Sequence, residues 1–140
     1  MELRVLIVDD YIPMRTCVRY ILETQTKWSI AGEAANGLEA VEKAIELRPD
    51  VIVLDLNMPV LNGFDAIPLI REKLHGETEI LVLTQHDCDS VRATLQAAGA
   101  RGCVSKSSTP ANFIKGIETV SKHEPFFPPL AGSQARNTGY

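Results

Sequence analysis

Four short, unbroken apolar runs punctuate the chain: Val5-Leu6-Ile7-Val8, Val51-Ile52-Val53-Leu54, Ile80-Leu81-Val82-Leu83 and the weaker Gly102-Cys103-Val104. Hydrophobicity that is continuous rather than alternating marks strands covered on both faces, as in a parallel sheet sandwiched between helices. A fifth stretch, Trp28 to Glu33, mixes apolar with small and polar residues and suits an edge strand. Between the runs, apolar residues recur at helical spacing. The stripes are Met14, Cys17, Val18, Ile21 and Leu22; then Leu38, Val41 and Ile45; then Phe64, Ile67, Ile70 and Leu74; then Val91 and Leu95; then Ile114, Ile117 and Val120. Strand followed by helix, five times over, predicts an open α/β sheet with right-handed crossovers. Asn36-Gly37 opens the second helix, His75-Gly76 closes the third, and Thr109-Pro110 supplies a cap and a first-turn proline for the fifth. Pro68 falls inside the third stripe, so that helix is expected to start late or bend. From His123 the periodicity stops. Prolines surround Phe126-Phe127 and a polar string runs from Gly132 to Tyr140, so residues 1–123 form the predicted domain and 124–140 a Pro-rich linker or flexible tail.

Composition narrows the classes of function. A chain of 140 residues is one domain's worth, and 45% hydrophobic with 23% charged residues is enough for a core, which excludes general disorder. A net charge of -4 gives no reason to grip a polyanion, so no nucleic-acid binding is expected of this chain alone. The three cysteines are odd in number and show no C-x-x-C spacing, which argues against a disulfide framework or zinc site and fits a reducing cytoplasm. Cys17, on an apolar stripe, is expected in the core and Cys88 at the surface. No apolar run approaches the roughly 20 residues of a membrane span.

The chemistry sits where the runs end. Asp9-Asp10 follow the first run, Asp55 the second, Thr84 the third and Lys106 comes just after the fourth. One polar residue at a strand end is what a strand meeting water provides. In an open parallel sheet, however, the carboxyl ends of the strands face one ligand-binding crevice, so these side chains are expected to converge. Three carboxylates brought together raise one another's pKa unless a cation compensates, and oxygen-ligated Mg²⁺ is the natural compensator. Carboxylates, a divalent ion, a lysine and a hydroxyl are the parts that hold a phosphoryl group through transfer, and an aspartate can itself be the nucleophile.

These residues resemble the receiver domain of bacterial two-component response regulators. Leu6-Ile7-Val8-Asp9-Asp10 resembles the family's opening motif, Asp55-Leu56-Asn57-Met58-Pro59 with Gly63 its phosphoacceptor motif, and Val82-Leu83-Thr84 and Lys106 its remaining signatures. The resemblance implies a flavodoxin-like (CheY-like) doubly wound five-stranded parallel sheet, order 2-1-3-4-5. It implies that Asp55 is phosphorylated by a sensor histidine kinase, that Asp9, Asp10, Asp55 and the Asn57 backbone carbonyl hold Mg²⁺, that Lys106 pairs with the phosphoryl group and that Thr84 senses it. A second receiver, in a phosphorylation-dependent homodimer, is the other implied partner.

Val82-Leu83-Thr84 followed by His86, the segment from Ala97 to Gly102, and His123-Glu124-Pro125-Phe126-Phe127 are similar to the NarL/FixJ (LuxR-type) group, whose receivers usually precede a helix-turn-helix domain. The expectation is a receiver controlling a transcriptional output domain outside this chain. The alternative is a degenerate or stand-alone receiver acting as a protein-binding module. Three positions depart from the pattern: Gln85, expected to narrow access to Asp55; Cys103, where an aromatic is usual; and Ser107, where a proline often follows the lysine. A haloacid-dehalogenase phosphatase would need an acid at position 57, where Asn57 stands. A nucleotide domain would need a glycine-rich loop after the first strand, where Asp9-Asp10-Tyr11-Ile12-Pro13 stands.

Overall fold

The computed structural model describes residues 2–128. Five strands, β1 (Leu3–Val8), β2 (Trp28–Ala34), β3 (Val51–Leu54), β4 (Glu79–Thr84) and β5 (Gly102–Ser105), alternate with five helices, α1 (Ile12–Glu23), α2 (Gly37–Leu47), α3 (Gly63–Leu74), α4 (Cys88–Ala98) and α5 (Pro110–Ser121). All strand pairs are parallel and the order is β2-β1-β3-β4-β5, the predicted flavodoxin-like arrangement. Alternate residues of each central strand face opposite cores. Leu6, Val8, Ile52, Leu54, Ile80 and Val82 pack toward α2, α3 and α4. Val5, Ile7, Val51, Val53, Leu81 and Leu83 pack toward α1 and α5. Burial on both sides is why these strands read as unbroken apolar runs.

Local chemistry sets the helix ends. Asn36, Asn62 and Thr109 accept hydrogen bonds from the amides of Glu39, Asp65 and Asn112, satisfying first-turn donors. His75 closes α3 at φ 50° and Gly99 closes α4 at φ 113°.

Several expectations need correction. The inward face of α2 is made by Ala40 and Ala44, whereas Leu38 and Ile45 are exposed and only Val41 of the predicted stripe is partly buried. Small residues let this helix approach closely: a Cβ on Gly37 would stand 2.1 Å from the Leu61 carbonyl oxygen. α3 neither starts late nor begins near Pro68. It starts at Gly63 and carries Pro68 in its second turn, on the exposed side. Cys17 faces solvent and Cys88 is buried, the reverse of expectation, because α1 turns Val18 and Leu22 inward while α4 packs its first residue onto β5.

Residues 125–128 are docked rather than loose. The Phe126 amide donates to the Arg101 carbonyl (3.0 Å) and its carbonyl accepts from the Cys103 amide (2.9 Å), forming a parallel bridge that covers the outer edge of β5. Arg92 of α4 lies 5.0 Å over the Phe127 ring and donates to the Pro128 carbonyl at 2.6 Å. The polar string Gly132 to Tyr140 lies outside the described residues.

At the opposite end of the sheet the structure holds a group no sequence pattern announced. Glu79, 1% exposed, is bonded by Arg71, by Arg101 Nε (3.2 Å) and by the exposed His123 through Nδ1 (2.5 Å).

Candidate functional site

The strand order reverses between β1 and β3, and both strands end in acid there. Asp9 and Asp55 are buried and Asp10 is exposed; one carboxylate oxygen from each lies within 4.8 Å of the others. Lys106 crosses from the end of β5 to reach Asp9 Oδ2 at 2.9 Å and Asp55 Oδ1 at 3.5 Å. Its own amide donates to the Thr84 carbonyl (2.8 Å), which fixes where the side chain starts. The Lys106–Ser107 peptide is trans. Asp9, Asp10, Tyr11, Asp55, Asn57 and Lys106 line a cleft of about 320 Å³, with Gln85 also on its wall.

The three acids are not equivalent. Both oxygens of Asp9 are engaged, Oδ1 by the Tyr11 amide (2.9 Å) and Oδ2 by Lys106, while its carbonyl accepts from Arg15 (2.6 Å). Asp55 Oδ1 accepts from the Leu56 amide at 2.9 Å. Burial pushes the Asp55 carboxyl above its ordinary value, the neighbouring Asp9 adds to this, and Lys106 with the Leu56 and Asn57 amides only partly offsets them. For Lys106, burial opposes the charge, but the hydrogen bond to Asp9 and the Asp55 carboxylate outweigh it, so the ammonium is held above its ordinary value. The cleft therefore carries more negative charge than its single lysine balances. Clustered carboxylate oxygens, hard donors with charge to spare, suit Mg²⁺.

The loop from β3 to α3 is built around backbone contacts. The Gly63 amide donates to the Leu56 carbonyl (2.9 Å), and a Cβ at Gly63 would stand 2.4 Å from the Asp55 carbonyl oxygen. This explains the glycine at position 63: the helix start presses against the backbone of the acid it follows. Val60 sits at φ 69° in a three-residue turn closed by the Leu61 amide and the Pro59 carbonyl (2.7 Å), a left-handed conformation that strains a β-branched residue.

Of the predicted site residues, the structure brings Asp9, Asp10, Asp55, Asn57 and Lys106 to one cleft. Thr84 is fully buried at its edge, its hydroxyl oxygen accepting from the His86 amide (3.0 Å). His86 is exposed and meets Asn57 Oδ1 at 3.3 Å through Nε2. It thus touches both the loop after Asp55 and Thr84. Its position one residue beyond Gln85 was the only signal available.

Residues 5–118 match the response regulator receiver domain family. The chain belongs to that family. Receiver domains bind Mg²⁺ at an acidic pocket and signal through phosphorylation, and this receiver shares their architecture and acid cluster. It is 39% identical over 119 residues to the chemotaxis protein CheY of Thermotoga maritima, covering 85% of this chain and 98% of that protein. It is 34% identical to the nitrate/nitrite response regulator protein NarL of Escherichia coli, covering 86% of this chain and 55% of that protein. A crystal structure of a LuxR-family two-component response regulator from an Aurantimonas species superposes with a TM-score of 0.88 at 30% identity, covering all of both chains. The receiver spans about half the length of the nitrate regulator and of the transcriptional regulatory protein YdfI of Bacillus subtilis. No described helix is long and apolar enough to cross a membrane.

Proposed function

We propose that Asp55 is the phosphoacceptor of this receiver, taking a phosphoryl group from a phosphohistidine of a sensor histidine kinase in the cytoplasm. The observation that carries this reading is the convergence of Asp9, Asp10 and Asp55, with Lys106 bridging two of them. In the transfer, a carboxylate oxygen of Asp55 forms a bond to phosphorus as the phosphorus–nitrogen bond to the kinase's histidine breaks, and the imidazole keeps the electron pair. Mg²⁺, when bound, neutralises charge on the phosphoryl oxygens. Asp10, the Asp55 carboxylate and the Asn57 backbone carbonyl would hold it. Asp9, already engaged by Lys106 and Tyr11, supports the site from behind.

Lys106 pairs with the phosphoryl group once it is on Asp55. Thr84 answers it by turning its hydroxyl away from the His86 amide toward the cleft, which shifts the start of α4. Cys103 is too small to swing between inside and outside positions as an aromatic does, so α4 and its preceding loop carry the change. The output is a change in protein contacts, including pairing with a second receiver, that controls transcription through a domain outside these residues.

Incubation with Mg²⁺ and acetyl phosphate is expected to add one phosphoryl group, about 80 Da, to the protein and nothing to Asp55→Asn. Stoichiometric labelling of the variant would refute the assignment. Absence of both Mg²⁺ and beryllofluoride binding in the unaltered protein would mark a degenerate receiver used only as a binding surface.

A further inference from the structure

The chain does not leave the sheet after α5. His123, at φ 64°, turns it back, and residues 125–128 then run alongside β5 in the direction of that strand, from the Glu79 network toward the end of the sheet that carries the acids. Two successive rings straddle the sheet edge. Phe126 packs with the core on the α5 side and Phe127 with the core on the α4 side, the alternation of a strand. The seat leaves room for them: a Cβ on Gly102 would stand 2.6 Å from the Phe126 carbonyl oxygen, and one on Gly116 of α5 would stand 3.0 Å from the Phe126 ring. The two ends of this segment are held by different elements. At its start His123 is bonded to Glu79 of β4, whereas at its far end the hold is Arg92 of α4, over the Phe127 ring and bonded to the Pro128 carbonyl. A cavity of about 650 Å³ separates the segment from the start of α4: Gln85, His86 and Cys88 line one side, Cys103 the floor, and Phe127 and Pro128 the other side. The first turn of α4 therefore has open space beside it rather than close-packed side chains, and a shift there finds room.

We propose that Phe126 to Pro128 is a releasable edge segment: α4 holds it on β5 through Arg92 in the resting protein, and the shift of α4 on phosphorylation breaks that hold, frees the edge of β5 and hands the state of the acid cleft to the chain after Pro128. The inference rests on the phosphoacceptor reading of Asp55, which supplies the trigger. On release the Phe126 amide loses the Arg101 carbonyl and the Cys103 amide loses the Phe126 carbonyl, and both turn to water. The bond from His123 to Glu79, on a central strand, stays as the hinge. A segment that leaves on activation opposes activation while it is docked, so loosening it favours the phosphorylated form.

The test uses the 140-residue chain with Mg²⁺ and beryllofluoride as the stand-in for the phosphoryl group, binding being followed by fluorine NMR and the segment by amide hydrogen exchange. Beryllofluoride is expected to speed exchange at the Phe126 and Cys103 amides by about fivefold or more. The Arg101 amide, which donates to the Ile80 carbonyl on the inner side of β5, is expected to exchange no faster. A bound ligand stabilises the fold and so slows exchange generally, which makes a rise confined to these two amides specific to release. Arg92→Ala is expected to speed the same two amides without ligand and to bind beryllofluoride about twofold or more tightly, a gain that mere loss of packing would not give. Binding with unchanged or slower exchange at Phe126 and Cys103, or unchanged affinity in Arg92→Ala, would overturn the release alone. Absence of beryllofluoride binding would overturn the phosphoacceptor reading and, with its trigger gone, the release as well.

Discussion

Replacing Asp55 by Asn removes the proposed phosphoacceptor and, by the charge balance of the cleft, should make the resting protein more stable. At an effective dielectric of about 20, two like charges 4.8 Å apart repel by about 3.5 kcal/mol, and an ammonium 3.5 Å away attracts by about 5 kcal/mol. Asp55 meets two acids and one lysine, so repulsion exceeds attraction even before the burial cost of its carboxylate, although exposure of Asp10 weakens that share. The raised Asp55 carboxyl, caused first by burial and then by Asp9, agrees in sign. Asparagine keeps an oxygen for the Leu56 amide and leaves Lys106 bonded to Asp9. The net expectation is a stabilisation of about 1–2 kcal/mol, or an increase in melting temperature of about 3–8 °C for a domain of this size. It is to be measured by thermal and urea unfolding at pH 7 with chelator present.

Two controls tie the effect to the charge. Because the folded state holds the Asp55 proton more tightly than the unfolded chain, the penalty is complete above the folded-state pKa. It disappears as the pH falls through that raised value toward the ordinary carboxylate range, so the gap between variant and parent should close in acid. Added Mg²⁺ should also close it, since the cation stabilises the parent more. A variant that melts at or below the parent in chelator, or a gap indifferent to pH, would refute the reasoning.

Glu79→Gln should destabilise by about 2–3 kcal/mol in urea titrations at pH 7, below the full cost of breaking a buried pair because Arg101 and His123 can turn to water. Burial alone would raise Glu79, but Arg71, His123 and Arg101 together hold it below its ordinary value. Its contribution is therefore present above the unfolded carboxylate pKa and lost as the pH falls through the depressed one, and the gap from the variant should shrink below that range. Gly63→Ala should cost about 2 kcal/mol or more, because the added Cβ meets the Asp55 carbonyl at 2.4 Å and the Leu56 Cα at 2.8 Å; a Mg²⁺ titration of the folded variant should show weakened binding. Val60→Gly should raise stability by about 1 kcal/mol in the same assay, by relieving a left-handed β-branched residue. Arg92→Ala should cost only about 0.5–1 kcal/mol, yet speed hydrogen exchange at the Phe126 and Cys103 amides, as the clamp on Phe127 and Pro128 is lost.

Burial on two faces imprints itself on a strand as an unbroken run, and strand ends in a parallel sheet are where polar chemistry collects. For these reasons the five βα units, Asp9, Asp10, Asp55 and Lys106 were legible from residue order alone, and the family's motifs supplied the strand order. What the chain's periodicity could not convey was distance. Which face of α2 turns inward depends on how closely Ala40 and Ala44 let it approach, and a hydrophobicity pattern weights Leu38 and Ile45 above them. Cys17 and Cys88 exchanged places for the same reason, since a helix's rotation is decided by its neighbours. Contacts between residues far apart in the chain carry no local signal at all. The four-residue network on Glu79, the Phe126 bridge along β5 and the meeting of His86 with Asn57 exist only because the crossovers fold the chain back on itself, bringing groups from separate βα units within a few ångströms.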